Sequence, residues 1–223
     1  MSLGSRIRNA LGPLERPASE RYRSLFLDLD ALVDRIAAWT PATNILEIGC
    51  GDGMVTARLA DRYPRARVTG IDIGAEPGRQ FQGDHSRVEF HQQQVEEFAA
   101  GHTGTFDLVL LCDVLHHVPP DERGGVLTGA RRALAPGGRV VLKEWERADT
   151  LITGLTWLLE VGVGGAFTRY ETGEHWRSLL GTHFGAEQDI QEERIAPWHN
   201  NVLFMTPVIR TSEEHDPQRG SAR

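Results

Sequence analysis

Apolar residues recur along this chain with two periods, and the places where each period holds predict its elements. From Ser19 to Trp39 they fall at Tyr22, Leu25, Phe26, Leu29, Leu32, Val33, Ile36 and Ala37, the spacing of one helix face, with Arg23, Asp30 and Asp34 on other faces and Thr40-Pro41 as the stop. Ile45–Ile48 predicts a first strand, and Asp52–Tyr63 a helix stopped by Pro64. Arg67–Ile73 and Arg87–His91 predict two more strands, with one helical turn at Glu96–Ala100. Phe106–Cys112 is almost unbroken in apolar character, as in a strand covered on both faces in the middle of a parallel sheet. Pro119-Pro120-Asp121 opens a helix carrying Val126, Leu127, Ala130, Ala133 and Leu134, Pro136-Gly137-Gly138 closes it, and Arg139–Trp145 is the fifth strand.

Strands alternating with helices in this way imply right-handed crossovers and a doubly wound, mostly parallel α/β sheet. After Trp145 the alternation breaks. Leu151–Gly165 is apolar and glycine-rich, Thr172–Phe184 is amphipathic, and Ala186–Ile195 and Asn201–Met205 read as two late strands joined by a turn with Pro197, His199 and Asn200, hence an antiparallel hairpin. The organisation expected is an N-terminal arm and helix over 1–43, a ligand-binding domain over 44–210 with a lid or substrate segment at 146–185, and a disordered polar tail over 211–223.

Composition narrows the partners. The 223 residues carry a formal charge of −7, which disfavours a nucleic-acid backbone, and the basic arm with Arg6, Arg8, Arg16, Arg21 and Arg23 has no interleaved aromatics for stacking bases. Cys50 and Cys112, the only cysteines, sit at buried strand ends, a pattern suited to a reducing cytoplasm and not to a disulfide framework or a metal site. Leu151 to Phe167 is the one candidate membrane segment, and it fails on length, on Glu160 and on its glycines. A small-molecule partner is expected, with no nucleic acid and no membrane; homodimer formation stays open.

The chemistry concentrates at residues 44–54, where a buried strand stops at a glycine turn and a helix begins. Gly49, Gly51 and Gly53 allow close backbone approach to a ligand. The dinucleotide fingerprint would place Gly or Ala where Met54 stands, and Glu47 and Asp52 bracket the turn with no Lys or Arg inside it. A pyrophosphate meets repulsion there, whereas an ammonium or sulfonium is attracted. Asp72 ends the next strand, about 20 residues on, the distance at which an acid accepts from a ribose diol.

These residues, together with Val-Thr-Gly-Ile-Asp-Ile at 68–73, Phe-Asp-Leu-Val-Leu-Leu-Cys-Asp-Val-Leu-His-His-Val at 106–118 and Leu-Ala-Pro-Gly-Gly-Arg-Val-Val-Leu at 134–142, resemble the class I S-adenosylmethionine-dependent methyltransferases of the small-molecule branch. The resemblance implies a Rossmann-like sheet of seven strands with the last antiparallel, and S-adenosyl-L-methionine as cofactor. It implies that Gly49, Cys50, Gly51 and Gly53 shape the loop around the cofactor's methionine part, that Glu47 holds its amino group and that Asp72 takes the ribose hydroxyls. By the same resemblance Ile73 is expected to pack on the adenine, and Gln94, beside Val95, stands where the family usually has an acid for the adenine amino group. The resemblance also implies that Cys112 and Asp113, at the end of the fourth strand, lie next to where the methyl-bearing sulfur should sit.

Candidate proton acceptors are His116, His117, Glu144 and His199, each also readable as packing or surface. The expected reaction is methylation of a small metabolite at a hydroxyl. N- or C-methylation, a catalytically silent cofactor-binding subunit and, less favoured by Met54 and the carboxylates, an NAD(P)-dependent oxidoreductase are the alternatives. Asp72→Ala is expected to weaken cofactor binding and to leave the ligand-free protein's melting temperature unchanged.

Overall fold

The computed structural model describes residues 24–147, 168–185 and 187–208, together with Arg21 and Gly154. The expected lid residues 151–167, Tyr22 and Arg23 in the first helix, and the tail lie wholly or mostly outside this set. Seven strands and five helices lie wholly within the described residues, in the order α1 (Leu29–Trp39), β1 (Asn44–Ile48), α2 (Met54–Arg62), β2 (Arg67–Asp72), β3 (Val88–Gln92), α3 (Val95–Gly101), β4 (Phe106–Cys112), α4 (Arg123–Ala133), β5 (Leu134–Trp145), α5 (Gly173–Phe184), β6 (Gln191–Arg194) and β7 (Asn201–Met205), with single 3-10 turns at Leu115–His117 and Glu187–Asp189.

One sheet in the order β3-β2-β1-β4-β5-β7-β6 holds all the strands. β1 to β5 run parallel, and β7 pairs antiparallel with both β5 and β6. The order reverses between β1 and β4, the switch point at whose carboxyl ends an open α/β sheet forms its crevice. Alternate strand residues feed two apolar layers. Ile45, Leu108, Leu110, Val141 and Leu203 pack with α1 and α2 on one face, and Leu46, Val109, Leu111, Leu142 and Val202 pack with α3, α4 and α5 on the other.

The doubly wound sheet with an antiparallel last strand is as expected from the sequence, and several boundaries differ, three of them for a visible reason. The helix predicted over Ser19–Trp39 is interrupted: Arg21 and Ser24 are helical, 25–28 are not, and α1 starts at Leu29, where Asp28 caps it, its Oδ1 accepting from Ala31 N at 2.9 Å. Pro136-Gly137-Gly138 does not end α4; that helix stops at Ala133, and the Pro-Gly-Gly residues lie within β5, where the register with β4 shifts between Phe106 and Leu108. The first late strand shortens to Gln191–Arg194, since Glu187–Asp189 turns instead of extending. Among the described residues no helix is long and apolar enough to cross a membrane.

Candidate active site

At the end of β1 the chain reverses over β2, with Gly49 N and Cys50 N both donating to Ile71 O, at 2.8 and 3.0 Å. Gly53 then enters α2 in the left-handed region at φ +87, and a Cβ there would stand 2.9 Å from Gly78 Cα, so glycine is required on both counts. Gly51 differs: its φ is +52, and a Cβ built on it meets nothing within 4 Å. The loop after β2 closes on this turn through Gly78 N to Gly51 O and Gln80 N to Asp52 O, both at 2.9 Å.

Two carboxylates hold the turn from beneath. Glu47 is buried in β1 and accepts from Thr56 Oγ1 of α2 at 2.5 Å. Asp72 accepts from Gly51 N at 2.8 Å and from Gly74 N at 2.7 Å, tying the glycine turn to the end of β2. Beside it Ile73 is 75% exposed, a large apolar side chain offered to the crevice rim. Gln94 is exposed at the N-cap of α3, and Val95 behind it is buried. Burial, reinforced by Glu47 and Asp72, pushes the Cys50 thiol well above its ordinary value, and burial followed by Asp113 does the same for Cys112. Both thiols therefore stay protonated at neutral pH.

Across the switch point the ends of β4 and β5 carry a denser network. Asp113 sits at φ +57, outside the usual range for a non-glycine residue, and both its oxygens accept from Lys143 Nζ, at 2.6 and 2.7 Å. Burial would raise the Asp113 carboxyl, but Lys143, with His116 and His117, outweighs it and holds the pKa below the ordinary value. Glu144, fully buried, accepts from Leu115 N at 2.6 Å, from Val114 N at 3.2 Å and from His116 Nδ1 at 2.5 Å. His117, by contrast, is exposed, with Nδ1 3.4 Å from Thr168 Oγ1. His199 is exposed in the β6–β7 turn, where its carbonyl accepts from Arg194.

Of the four candidate proton acceptors, His116 and Glu144 are thus locked on each other, while His117 and His199 face solvent. Asp113, His116 and Glu144 bring ligand-type atoms within 4.8 Å of one another. Lys143 on Asp113 and the three donors on Glu144 already use that set, and the ammonium opposes a metal cation.

Several structural anchors were missed from the sequence. Arg123 is buried, with Nε donating to Leu115 O and Val118 O at 2.9 and 3.0 Å, its other nitrogens to Glu171 Oε1 and Arg169 O, and its Cζ 4.9 Å from the centroid of the Trp176 ring. Glu171 forms a parallel bridge with Glu146, so the chain beyond β5 returns to the same edge. Lys143 had a signal: a charge inside Val-Val-Leu-Lys-Glu-Trp, a run that reads as covered on both faces, requires a buried partner.

Residues 45–138 match the family described as a methyltransferase domain. The ubiquinone biosynthesis O-methyltransferase of Sodalis glossinidius is 34% identical over 125 residues, covering 54% of this chain and 48% of that protein. Its namesake in Cronobacter sakazakii is 36% identical over 122 residues, covering 53% and 46%. The chain therefore spans about half the length of the curated relatives it matches.

Among solved structures, the S-adenosylmethionine-dependent methyltransferase SibL in its apo form superposes with a TM-score of 0.71 at 20% identity, over 90% of this chain and 59% of that one. Burkholderia thailandensis 1,6-didemethyltoxoflavin-N1-methyltransferase, with 1,6-didemethyltoxoflavin and S-adenosylhomocysteine bound, gives 0.63 at 21% identity, over 92% and 88%. Both likenesses concern the fold. Residues 45–138, from β1 to the start of β5, are thus similar to a methyltransferase domain, and the chain has the fold of the S-adenosylmethionine-dependent methyltransferases it superposes on.

Proposed function

We propose that this chain transfers a methyl group from S-adenosylmethionine to a hydroxyl of a small organic molecule. The observation that carries the proposal is the glycine turn itself: an open Gly51, buried Glu47 and bridging Asp72 set carboxylates around a stretch, 47–54, that contains no Lys or Arg. That chemistry suits a cofactor bearing an ammonium and a sulfonium.

In this reading Glu47 holds the amino group, and Gly49, Cys50, Gly51 and Gly53 line the methionine part with backbone. Asp72 takes the ribose hydroxyls on lone pairs that Gly51 N and Gly74 N leave over, a carboxylate having about four acceptor positions. Exposed Ile73 packs on the adenine, with Gln94 accepting from its amino group and Val95 behind. Cys112 and Asp113 border the reacting end. When bound, the cofactor supplies an activated methyl group on a sulfonium. The protein aligns the acceptor, excludes water and removes a proton. Protonated Cys50 and Cys112 line the site without competing as nucleophiles. His117, exposed at the turn that follows Asp113, takes the hydroxyl proton, and the buried His116–Glu144 pair fixes that turn.

The names of the curated relatives, O-methyltransferases of ubiquinone biosynthesis, favour a hydroxyl acceptor. Isothermal calorimetry with S-adenosylmethionine and with NAD, followed by transfer of isotope-labelled methyl to a panel of phenols and alcohols, tests the proposal. Binding of S-adenosylmethionine alone and label in an ether product are expected, with kcat reduced about 10²-fold or more in His117→Gln. NAD binding without S-adenosylmethionine binding overturns it.

A further inference from the structure

Trp145 ends β5 and Asn201 begins β7, and the two are direct partners in the antiparallel ladder. Glu146 N donates to Asn200 O at 2.7 Å and Thr206 N to Val140 O at 3.0 Å, so the even-numbered β5 positions are the hydrogen-bonded pairs. Trp145 and Asn201 therefore form a non-hydrogen-bonded pair, the kind in which facing side chains stand closest. Strand alternation puts Trp145 on the face of Val141 and Asn201 on that of Leu203, both in the apolar layer shared with α1 and α2. Cys112 packs against the same layer, and the Lys143 ammonium lies 5.8 Å from the Trp145 ring. The pair is thus on the carboxyl edge, two strands across from the glycine turn and next to the Asp113–Lys143 bridge.

Both side chains are buried, Trp145 at 3% exposure and Asn201 at 0%, and Trp145 Nε1 and Asn201 Oδ1 have no hydrogen-bond partner among the described residues. Indole nitrogen can only donate. The Asn201 amide has a fixed orientation, because its Nδ2 donates to Phe26 O at 2.6 Å and a flipped amide would set oxygen against oxygen. Its Oδ1 is therefore a true acceptor. One buried donor and one buried acceptor stand at adjacent ladder positions, each desolvated without return in the free protein.

We infer that Trp145 Nε1–H and Asn201 Oδ1 form a subsite that recognises a hydroxyl group of the methyl acceptor. A hydroxyl oxygen accepts from the indole while its hydrogen goes to the amide oxygen, so one group satisfies both. An ether or ketone serves only Trp145, and an ammonium only Asn201. The subsite anchors the molecule and contributes no base. The segment before α1 rests on this strand end through Trp198 Nε1 to Leu25 O, Asn201 Nδ2 to Phe26 O and Asp28 N to Ala196 O, at 2.7, 2.6 and 3.0 Å. That the bound molecule is the methyl acceptor rests on the proposed methyl transfer; the hydroxyl selectivity does not.

The test is a titration of 15N-indole-labelled full-length protein, with and without S-adenosylhomocysteine, using phenol, anisole and toluene as probes. Trp145→Phe assigns the Trp145 signal among the five tryptophans. Phenol should shift the Trp145 indole proton saturably, anisole should bind about tenfold more weakly for want of a donor, and toluene should leave the signal in place. Trp145→Phe and Asn201→Leu should each weaken phenol binding about tenfold while keeping wild-type affinity for S-adenosylhomocysteine. A Trp145 signal unmoved by phenol in the wild-type protein, as when water held between the two atoms is not displaced, overturns the subsite, and so does equal binding of phenol and anisole. If phenol shifts the signal but S-adenosylhomocysteine does not bind, the hydroxyl subsite stands and the methyl-transfer reading falls; the converse result removes the subsite alone.

Discussion

The ends of β1 and β2 and the ends of β4 and β5 border one crevice, yet they are built in opposite ways. On the glycine-turn side the contacts are mostly backbone: Gly49 and Cys50 amides on Ile71 O, and Gly51 and Gly74 amides on Asp72. On the other side charged side chains with 1% exposure or less, Arg123, Lys143 and Glu144, carry the contacts. A backbone cradle needs little beyond glycines and a carboxylate, so a short stretch of chain can encode it. A buried charge network spends desolvation on each ion and keeps its shape only while every partner is present. Outside its glycines and the buried Glu47, one side therefore tolerates substitution at single positions, whereas the other should fail at each of its members.

The largest break in that comparison is Arg123→Met. The guanidinium meets three backbone carbonyls, a carboxylate and an indole face, and it joins the Leu115–His117 turn to residues 169–171. Methionine can fill the space but removes the Arg123 donors to Val118 O and Arg169 O, while Leu115 O keeps Val118 N at 3.1 Å and Glu171 keeps Arg169 Nε at 2.9 Å. Removing one member of such a buried set costs about 3–5 kcal/mol, read as a shift in the urea unfolding midpoint with unchanged slope. A loss below about 1 kcal/mol would erase the contrast drawn between the two sides.

Next in size is Lys143→Met, which strands Asp113. The Asp113 carboxyl is a third exposed, so the cost is discounted to about 1–3 kcal/mol at neutral pH. Its pH dependence is specific. In the wild-type protein the Asp113 pKa lies below the ordinary carboxylate value, so its pairing stabilises the fold at neutral pH and is lost as the pH falls below about 4. Without Lys143 the dominant influence is burial, which raises the carboxyl. The variant's deficit should then be greatest near neutrality and shrink on acidification, as Asp113 takes up a proton. Urea titrations of both proteins at neutral and mildly acidic pH measure this, and Asp113→Asn in the variant should recover most of the loss, since asparagine tolerates the left-handed backbone at this position.

The same contrast explains what could be seen from the sequence. Strands β1, β2 and β4 were legible because apolar runs end at local punctuation, and the glycine turn with Asp72 was legible because its parts lie within one crossover, Gly51 and Asp72 being 21 positions apart. The break before α1 was missed because apolar periodicity continues through Tyr22, Leu25 and Phe26, whereas 25–28 are not helical and α1 begins where Asp28 caps it. The other half of the crevice joins residues that no local window contains: His116 to Glu144 across 28 positions, Arg123 to Glu171 across 48 and Asn201 to Phe26 across 175. A single Arg, Trp or Asn at an element end carries no sign of its partner. Only the packed sheet brings them together.

Asp72→Ala should give the smallest loss of stability and tests the other side of the comparison. From the sequence alone this change should leave the ligand-free protein unaffected, but the carboxylate accepts from Gly51 N and Gly74 N, so some structural role is present. Both amides belong to exposed residues, and water can replace the lost acceptor. The ligand-free protein should therefore lose about 0.5–1.5 kcal/mol, the net value of ordinary hydrogen bonds, instead of the full penalty for stranded donors. Affinity for S-adenosylmethionine should fall further, by about 1–3 kcal/mol, because bound ribose hydroxyls no longer have water to turn to. Thermal unfolding and calorimetry on the same preparation separate the two losses. If stability fell while affinity held, Asp72 would be a strut for the glycine turn and nothing more, and the ribose contact would have to come from elsewhere on the β2 end.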